Sequence, residues 1–323
     1  MGSPGATART LAEVDVLVTG SSGFIGSALL SALGAAGHRP IRALRTATVP
    51  QGVDGVAWDP VAGTIDAASL EGVGAVVHLA GAGIGDKRWD AERKRLILES
   101  RTKPTRLLAE TLAGLATPPS VFISGSAVGY YGNRGDEKLT EDSPPGTDFV
   151  SDVCVQWEAA VQPAADAGVR VVNIRTGIVL GRHGGVLKRL LLPFKLGVGG
   201  RTGSGKQWMS WISLADEVRA ILHAIGTDSL SGPVNFTAPN PVTNGELSAT
   251  LGRVLHRPAL LPTPTFGVKA VYGSELVQHL LLEGQRVLPS KLESSGFTFT
   301  HPTLEVALRA ILDLSPHGEQ GAT

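Results

Sequence analysis

The chain has 323 residues, and its 29 Lys and Arg residues balance 29 Asp and Glu residues to a formal net charge of zero. This balance gives no global electrostatic reason to bind nucleic acid or an anionic membrane surface. One cysteine, Cys154, excludes an intrachain disulfide and a cysteine-rich zinc site. Neither a signal peptide nor a membrane-spanning run is recognisable. We therefore expect a cytoplasmic protein with no nucleic-acid or membrane partner, and a homodimer is compatible with the sequence.

The first part of the chain alternates short apolar strands with helices. After a tail at 1–12, strands are predicted at 14–20, 39–45, 75–81, 119–127 and 169–181. Helices are predicted between them, after 23, at 91–115 and from Ser151 or Asp152. Continuous apolar strands separated by helices are typical of a parallel sheet covered on both faces. The pattern predicts an α/β fold, with a Rossmann-type doubly wound domain at 13–181.

After Gly181 the pattern changes to helices separated by proline-rich connections. We expect a smaller, mainly helical C-terminal substrate lobe at 182–315 and a second tail at 316–323. The apolar run at 232–238 is predicted to be a strand that returns to the main sheet, so the two parts are interleaved.

The segment TGSSGFIG forms a glycine-rich loop between the first strand and the first helix. Gly20 permits the tight turn, Gly23 lets the backbone approach a pyrophosphate, and Gly26 lets helix and strand pack closely. The phosphates then lie at the helix N-terminus. An ordinary β-α turn is the alternative, but the position before a helix in a β-α series favours a dinucleotide. The predicted cofactor contacts of this loop are Gly20, Ser22, Gly23, Phe24, Ile25 and Gly26.

The identity of the cofactor is predicted from a missing acidic residue. An NAD-selective fold usually has an acidic side chain about 20 residues after the loop, where it binds the ribose 2′-hydroxyl. No Asp or Glu occurs between Asp15 and Asp54, and Arg45 lies at the end of the second strand instead. A guanidinium suits a 2′-phosphate, with Arg42 or Arg39 assisting. The sequence predicts NADP(H); a solvated strand end is the alternative interpretation of these arginines.

A second glycine-rich segment, from Gly200 to Lys206, matches the G-x-x-x-x-G-K pattern of a triphosphate-binding loop. Gln207 follows the lysine, although Ser or Thr is needed there to hold magnesium. The flanking pattern also lacks the strand before and the helix after that such a loop requires. We therefore expect a loop near the mouth of the cleft, where Lys206 or Gln207 contacts substrate and Trp208 or Trp211 packs the lobes together.

Four segments, TGSSGFIG, HLAGAGI, ISGSAVGYYG and IRTGIVLG, together resemble the extended short-chain dehydrogenase/reductase superfamily of epimerases, dehydratases and reductases. The segments at 88–89, 100–102, 148–158 and 203–212 resemble its epimerase-like branch with a small C-terminal domain of its own. The resemblance extends over 14–312 and implies an NADP-binding Rossmann core with a substrate cleft facing the nicotinamide. The further cofactor contacts that we predict from it are Leu79, Ala80, Gly81, Ser124, Thr176, Gly177 and Ile178.

The resemblance implies catalysis by Ser or Thr, Tyr and Lys, with the last two as Y-x-x-x-K on one helical face. None of the three tyrosines is followed by lysine at that spacing. Alignment to the motif places Val150 at the tyrosine position and Cys154 at the lysine position, while Glu158 keeps the acidic residue that often follows. This departure puts ordinary epimerase or dehydratase chemistry in doubt.

The remaining catalytic candidates are Ser126, Tyr130 and Tyr131. Ser126 matches the superfamily serine at the end of a predicted parallel strand, where ligands of such sheets bind, or it bonds only to backbone. Either tyrosine is a candidate proton donor, and the one that points inward is an aromatic anchor in the alternative interpretation. We expect Arg101 on a solvated helix face and His78 in the core.

Two functions from different classes are compatible with this pattern. The histidines lack metal-binding spacing, so no metal is predicted. The first function is an NADP(H)-dependent oxidoreductase or epimerase-like isomerase acting on a small, for example sugar-derived, hydroxyl or carbonyl compound with a non-standard proton donor. The second is a catalytically silent NADP-binding sensor or partner-binding protein. The missing Y-x-x-x-K favours the second, whereas the serine and the glycine loop fit both.

Overall fold

The computed structural model describes residues 13–46 and 48–314. Both predicted tails, 1–12 and 316–323, lie outside these residues. The strands are β1 (Asp15–Thr19), β2 (Arg39–Leu44), β3 (Gly55–Asp59), β4 (Thr64–Ile65), β5 (Ala75–His78), β6 (Val121–Ala127), β7 (Lys138–Leu139), β8 (Arg170–Thr176), β9 (Ile178–Leu180), β10 (Trp208–Met209), β11 (Trp211–Ser213), β12 (Gly232–Phe236), β13 (Val242–Thr243) and β14 (Arg286–Val287).

The helices alternate with these strands in the first half of the chain and dominate the second. They are α1 (Phe24–Ala35), α2 (Ala91–Ala113), α3 (Phe149–Ala159), α4 (Gln162–Asp166), α5 (Gly185–Lys195), α6 (Leu214–Gly226), α7 (Asn244–Leu255), α8 (Thr265–Tyr272), α9 (Ser274–Val277), α10 (Ser290–Ser294) and α11 (Leu304–Ile311). Short 3-10 helices occupy Ala67–Leu70 and Val128–Tyr131, and a π-helix occupies Gln278–Leu282.

One sheet of eight strands, in the order β12-β8-β6-β5-β1-β2-β3-β4, forms the centre of the protein. Its strands are parallel except β4, which runs antiparallel to β3. Strand β1 lies between β5 and β2, so the winding of the chain reverses there. Ligands of such sheets bind beyond the carboxyl ends of the strands at this reversal. The predicted Rossmann-type doubly wound fold is confirmed.

Apolar side chains cover both faces of the sheet because successive residues of a strand point to opposite sides. Val18 and Val77 lie in the cluster that packs against α1 and α6, whereas Leu17 and Val76 lie in the cluster that packs against α2 and α4. These two buried layers fix the positions of the strand ends, and thus of the loops that form the candidate site.

The C-terminal region is mainly helical and has a separate apolar centre. Trp211 is fully buried there among Leu187 of α5, Leu251 of α7 and Leu308 of α11. Strand β12 returns from this region to the main sheet and pairs with β8. The division of the chain at residue 181 stays a prediction, since β12 lies on the other side of it in sequence.

Two predicted elements differ from the structure for local reasons. Helix α3 begins two residues before Ser151, because the Asp148 side chain caps it by accepting the backbone N–H of Ser151 at 2.9 Å. The single strand predicted at 169–181 divides at Gly177, after which β9 leaves the main sheet to pair with β11. No described helix has the length and apolar character needed to cross a membrane.

Three glycines let the two halves of the chain pack closely together. Gly181, Gly184 and Gly185, directly after β9, leave space for the ring of Phe24, the first residue of α1. A Cβ atom on Gly181 would lie 2.6 Å from Phe24 Cζ, which is closer than van der Waals contact. The first turn of α1 is therefore packed against the segment that leads into the C-terminal region.

We predict that Gly26→Ala destabilises the protein, because its Cβ would lie 2.9 Å from the Gly20 carbonyl carbon and overlap the carbonyl oxygen. Forced overpacking of this kind costs about 1–3 kcal/mol. Gly34→Ala is the matched control within α1, since a Cβ there meets no atom within 4 Å. Helix propensity alone should make it about 0.5–1 kcal/mol more stable. Urea unfolding of both variants measures the difference, and equal effects would contradict the close approach.

Candidate functional site

The glycine loop at the carboxyl end of β1 has the backbone geometry of an anion site. Gly20 adopts a φ of +64°, and a Cβ on it would lie 2.8 Å from the Leu79 carbonyl carbon. No side chain caps α1, and its first turn carries no acidic residue. The N–H groups at the start of α1, which include those of Phe24 and Ile25, and the helix dipole are therefore left for a negatively charged group. Ser22 and Gly23 are exposed beside them.

Arg39 and Arg45 lie at opposite ends of β2. Arg45 follows the end of β2, is exposed, and forms no hydrogen bond or ion pair with a described residue. Arg39 begins β2 at the far edge, where it forms a salt bridge with Asp15. The prediction that Arg39 assists at a 2′-phosphate is therefore wrong, because parallel strands place it a strand length from the loop. Arg42 is exposed within β2.

The end of β5 is held beside the glycine loop by Thr19. The Thr19 hydroxyl accepts the backbone N–H groups of Leu79 at 3.2 Å and Ala80 at 3.3 Å, and it lies 2.7 Å from His78 Nδ1. Burial lowers the pKa of His78 to about 3, so the imidazole is neutral. Because the Thr19 oxygen already accepts two N–H groups, its hydroxyl donates a hydrogen bond to His78 Nδ1. His78 is a core residue, as expected, and this bond fixes the approach of residues 79–81 to the loop.

Ser126 belongs to a buried ionic network rather than standing free at the strand end. Its hydroxyl donates to Glu158 Oε1 at 2.6 Å. Arg175 of β8 donates to both oxygens of the same carboxylate, each at 2.8 Å. A bidentate pair of this kind is directional and holds α3 against β8. Ser124, two residues earlier on β6, is fully buried and exposes no surface to a ligand.

The two adjacent tyrosines have different environments. Tyr131 is fully buried; its hydroxyl donates to Asn235 Oδ1 at 2.7 Å and accepts from Arg175 Nη1 at 2.9 Å. Burial raises the pKa of Tyr131 to about 12. The structure therefore contradicts Tyr131 as a proton donor, since its hydroxyl is enclosed and bonded. Tyr130 is half-buried, its ring centroid lies 3.4 Å from Arg175 Cζ, and its hydroxyl makes no hydrogen bond with any described residue.

The helix that normally carries the Tyr and Lys pair supplies neither here. Val150 packs against Gly129, where an added Cβ would lie 2.5 Å from Val150 Cγ1. Cys154 is buried, and burial raises the pKa of its thiol to about 12. A thiol that keeps its proton is not a nucleophile. Helix α3 therefore contributes packing and Glu158, but neither a tyrosine nor a lysine.

At the end of β8, Thr176 bonds to a buried carboxyl group. The Thr176 hydroxyl donates to Glu217 Oε1 at 2.9 Å, while Glu217 Oε2 has no partner among the described residues. Burial raises the pKa of Glu217 to about 8, so the group is mostly protonated at neutral pH. The backbone N–H groups of Gly177 and Ile178 donate to the carbonyls of Phe236 and Ser210. These two N–H groups are therefore not available to a ligand.

Arg101 does not lie on a solvated helix face, so that expectation is wrong. Its side chain is half-buried beside Gly81, and its Cζ lies 5.2 Å from the Trp157 ring. Burial lowers the pKa of Arg101, and Cys154 is close enough to influence it.

The second glycine-rich segment is a structural turn. Gln207 Nε2 donates to the carbonyls of Thr202 at 3.1 Å and Leu281 at 2.7 Å, while its buried Oε1 has no partner among the described residues. Lys206 is exposed. Trp211 packs in the C-terminal core, while Trp208 Nε1 donates to Asp136 Oδ1 at 2.7 Å.

Three described side chains lie close enough to hold a cation, namely Asp148, His279 and Glu283. Asp148 already caps α3 through Ser151, and His279 Nδ1 lies 2.8 Å from Glu283 Oε2. His279 also stacks on Trp89 with ring centroids 6.1 Å apart. These contacts account for the three side chains without an ion, and we assign no metal to them.

Sequence reasoning missed four members of the site: Arg175, Glu217, Glu141 and Asn235. Arg175 and Asn235 are polar residues inside otherwise apolar strands, and this was a usable signal, because a buried charge requires a partner. Glu141 Oε1 accepts the backbone N–H of Asn235 at 3.1 Å from a distant loop. Nothing in the sequence near Glu141 indicated that contact.

We predict that Glu217→Gln changes the pH dependence of stability. Folded Glu217 keeps its proton up to about pH 8, whereas its ordinary pKa is 4.5. The folded state therefore binds the extra proton between these values, and wild-type stability falls as pH rises through that window. Relative to Glu217→Gln, the loss is at most about 1.4 kcal/mol per pH unit. Urea unfolding from about pH 5 to about pH 8 measures it, and parallel profiles would contradict the buried acid.

We also predict that Arg45→Ala weakens NADPH binding about 10- to 100-fold while leaving NADH binding nearly unchanged, because one charge-assisted contact to the 2′-phosphate is lost. Arg39→Ala is the matched control, since this arginine pairs with Asp15 at the other edge of the sheet. Titration by nicotinamide fluorescence measures both cofactors. NADH binding as tightly as NADPH to the wild-type protein would refute the role of Arg45.

Two family models match the chain. The NAD dependent epimerase/dehydratase family matches residues 16–235, and a domain of unknown function, DUF1731, matches residues 263–311. An epimerase family protein of Mycobacterium bovis is 46% identical over 300 residues, covering 92% of this chain and 97% of its own. The human epimerase family protein SDR39U1 is 37% identical over 300 residues, covering 92% and 99%.

Solved structures agree with these matches. The crystal structure of human SDR39U1 with NADPH superposes with a TM-score of 0.84 at 37% identity, over 93% of this chain and 99% of that one. A nucleoside-diphosphate sugar epimerase of Corynebacterium glutamicum gives a TM-score of 0.76 at 37% identity, over 93% of this chain and 58% of that one. The chain therefore belongs to the NAD dependent epimerase/dehydratase family.

Proposed function

We propose that the protein binds NADP(H) and catalyses an oxidoreductase or epimerase-like reaction on a small hydroxyl or carbonyl compound, with sugar derivatives as one class. The observation that carries the proposal is the open loop cluster at the carboxyl ends of β1, β2 and β5. There an uncapped helix and an unpaired Arg45 face the same edge of the sheet. The NADPH bound by the human relative supports the choice of cofactor.

Tyr130 is the proton donor in this proposal. The 3-10 helix Val128–Tyr131 follows β6 directly, so Tyr130 lies at the same edge as the cofactor loop. Its phenol is partly exposed, and its ring is held against the Arg175 guanidinium. Tyr131 cannot exchange with it, because its own hydroxyl is bonded on both sides. The cofactor supplies or accepts a hydride when bound, and the chain needs only to orient the substrate and move one proton.

The second candidate function is a silent NADP-binding sensor. It is favoured by the composition of α3, where Val150 and Cys154 are both packed and neither exchanges protons. A sensor needs the cofactor loop and Arg45 but no accessible phenol. The two functions are therefore separated by turnover, not by cofactor affinity.

We predict that NADPH-loaded protein incubated with a broad metabolite extract oxidises NADPH, followed by the fall in nicotinamide absorbance. Tyr130→Phe should lower this rate about 10²- to 10⁴-fold with little change in NADPH affinity, since a general acid contributes that much. Tyr131→Phe is the matched control and should lower the unfolding free energy by about 1–3 kcal/mol, because it leaves Asn235 and Arg175 short of a partner.

Two outcomes would contradict this proposal. Undiminished turnover in Tyr130→Phe would show that another group moves the proton. No turnover by the wild-type protein across the whole extract, with NADPH still bound, would favour the sensor, where turnover is measured as net NADPH oxidation and, because an epimerase returns its hydride to the product, also as interconversion of epimers.

A further inference from the structure

The side chain of Arg101 reaches from α2 to the carboxyl edge of the sheet. A Cβ atom on Gly81 would lie 3.5 Å from Arg101 Cγ and 3.8 Å from Arg101 Nη1. Gly81 lies just beyond the end of β5 in the segment that Thr19 holds beside the glycine loop. The guanidinium is therefore close to the point where the winding of the sheet reverses.

This guanidinium is mostly unpaired. Its Nη1 donates to the Ile97 carbonyl of its own helix at 3.0 Å, and its Cζ lies over the Trp157 ring. No carboxylate in the parts of the chain that the structure describes forms an ion pair with it. Its other N–H groups have no partner among the described residues and remain accessible, so they are available to a ligand.

Other arginines near the sheet edge have partners. Arg93, two turns earlier on α2, donates to the Gly83 carbonyl and lies 4.0 Å from Asp86. Arg175 shares both of its charged contacts with Glu158. Arg101 is half-buried at this edge and, unlike Arg93 and Arg175, makes no contact with a carboxylate among the described residues.

The direction in which a dinucleotide crosses the sheet identifies the missing partner. The pyrophosphate binds at the start of α1, and the 2′-phosphate of the adenosine half is proposed to lie at Arg45, beyond β2. The nicotinamide half must then lie on the other side of β1, over the ends of β5 and β6. Gly81 follows β5 at that side, and the nearest cation is Arg101. The hydroxyl oxygens of the nicotinamide ribose are acceptors for its free N–H groups.

We propose that Arg101 binds the ribose attached to the nicotinamide ring and so positions that ring. The inference rests on the proposed binding of NADP(H). Helix α3 places Trp157 against the guanidinium but has no cationic residue of its own, so α2 supplies the positive charge at this point.

The test compares two ligands that share the adenosine half. NADPH contains the nicotinamide ribose, whereas adenosine 2′,5′-bisphosphate ends before it. We expect Arg101→Gln to weaken NADPH binding about 10- to 100-fold and to change bisphosphate binding less than about 2-fold. Arg95→Gln, on an exposed position of the same helix, should change neither. Calorimetric titration of each variant with each ligand gives the four ratios.

Each other outcome has a definite meaning. Unchanged NADPH binding in Arg101→Gln overturns the inference but leaves the proposed binding of NADP(H) standing. An equal loss of affinity for both ligands also overturns it, because Arg101 would then have only a structural role. If Arg101→Gln does not fold, Arg101→Lys keeps the charge without the planar fork and should lose part of the NADPH affinity only. A wild-type protein that binds neither ligand refutes the proposed cofactor first.

Discussion

The buried ion pair between Glu158 and Arg175 organises the side of the sheet where chemistry is proposed. It joins α3 to β8, takes the Ser126 hydroxyl as a further donor, and passes through Arg175 to the hydroxyl of Tyr131. Removing one partner of such a pair costs about 3–5 kcal/mol, because the other charge is left buried. The pair therefore keeps α3 in position, although this helix contains neither the tyrosine nor the lysine of a proton-transfer pair.

The ionisable groups on the two sides of β1 differ in their exposure to solvent. On the β2 side, Arg45 is exposed and its charge is hydrated until a ligand arrives, so it can discriminate between ligands at little cost to folding. On the β5 side, Glu217 is enclosed and its Oε2 has no partner among the described residues. Arg101 is half-buried and donates only to its own helix. An enclosed carboxyl oxygen without a partner is destabilising in the free protein.

Short sequence patterns predicted the features that depend on interactions between residues close in the chain. The spacing of Gly20, Gly23 and Gly26 identified the loop because only glycine permits those close approaches, and apolar runs identified the parallel sheet. The side-chain network could not be predicted, since Arg175 meets Glu141 and Asn235 only after remote segments pack together. The exposure of a helix residue such as Arg101 depends in the same way on where α2 crosses the sheet. Its sequence neighbours carry no information about that crossing.

The ring of Phe24 fills the space left by glycines 181, 184 and 185, and β12 completes the far edge of the main sheet. A fragment that stopped at residue 181 would expose this ring and leave the edge of β8 unpaired. Unpaired strand edges and uncovered aromatic rings promote aggregation. The nucleotide-binding half therefore depends on the rest of the chain to cover the first turn of α1 and to pair the edge of β8.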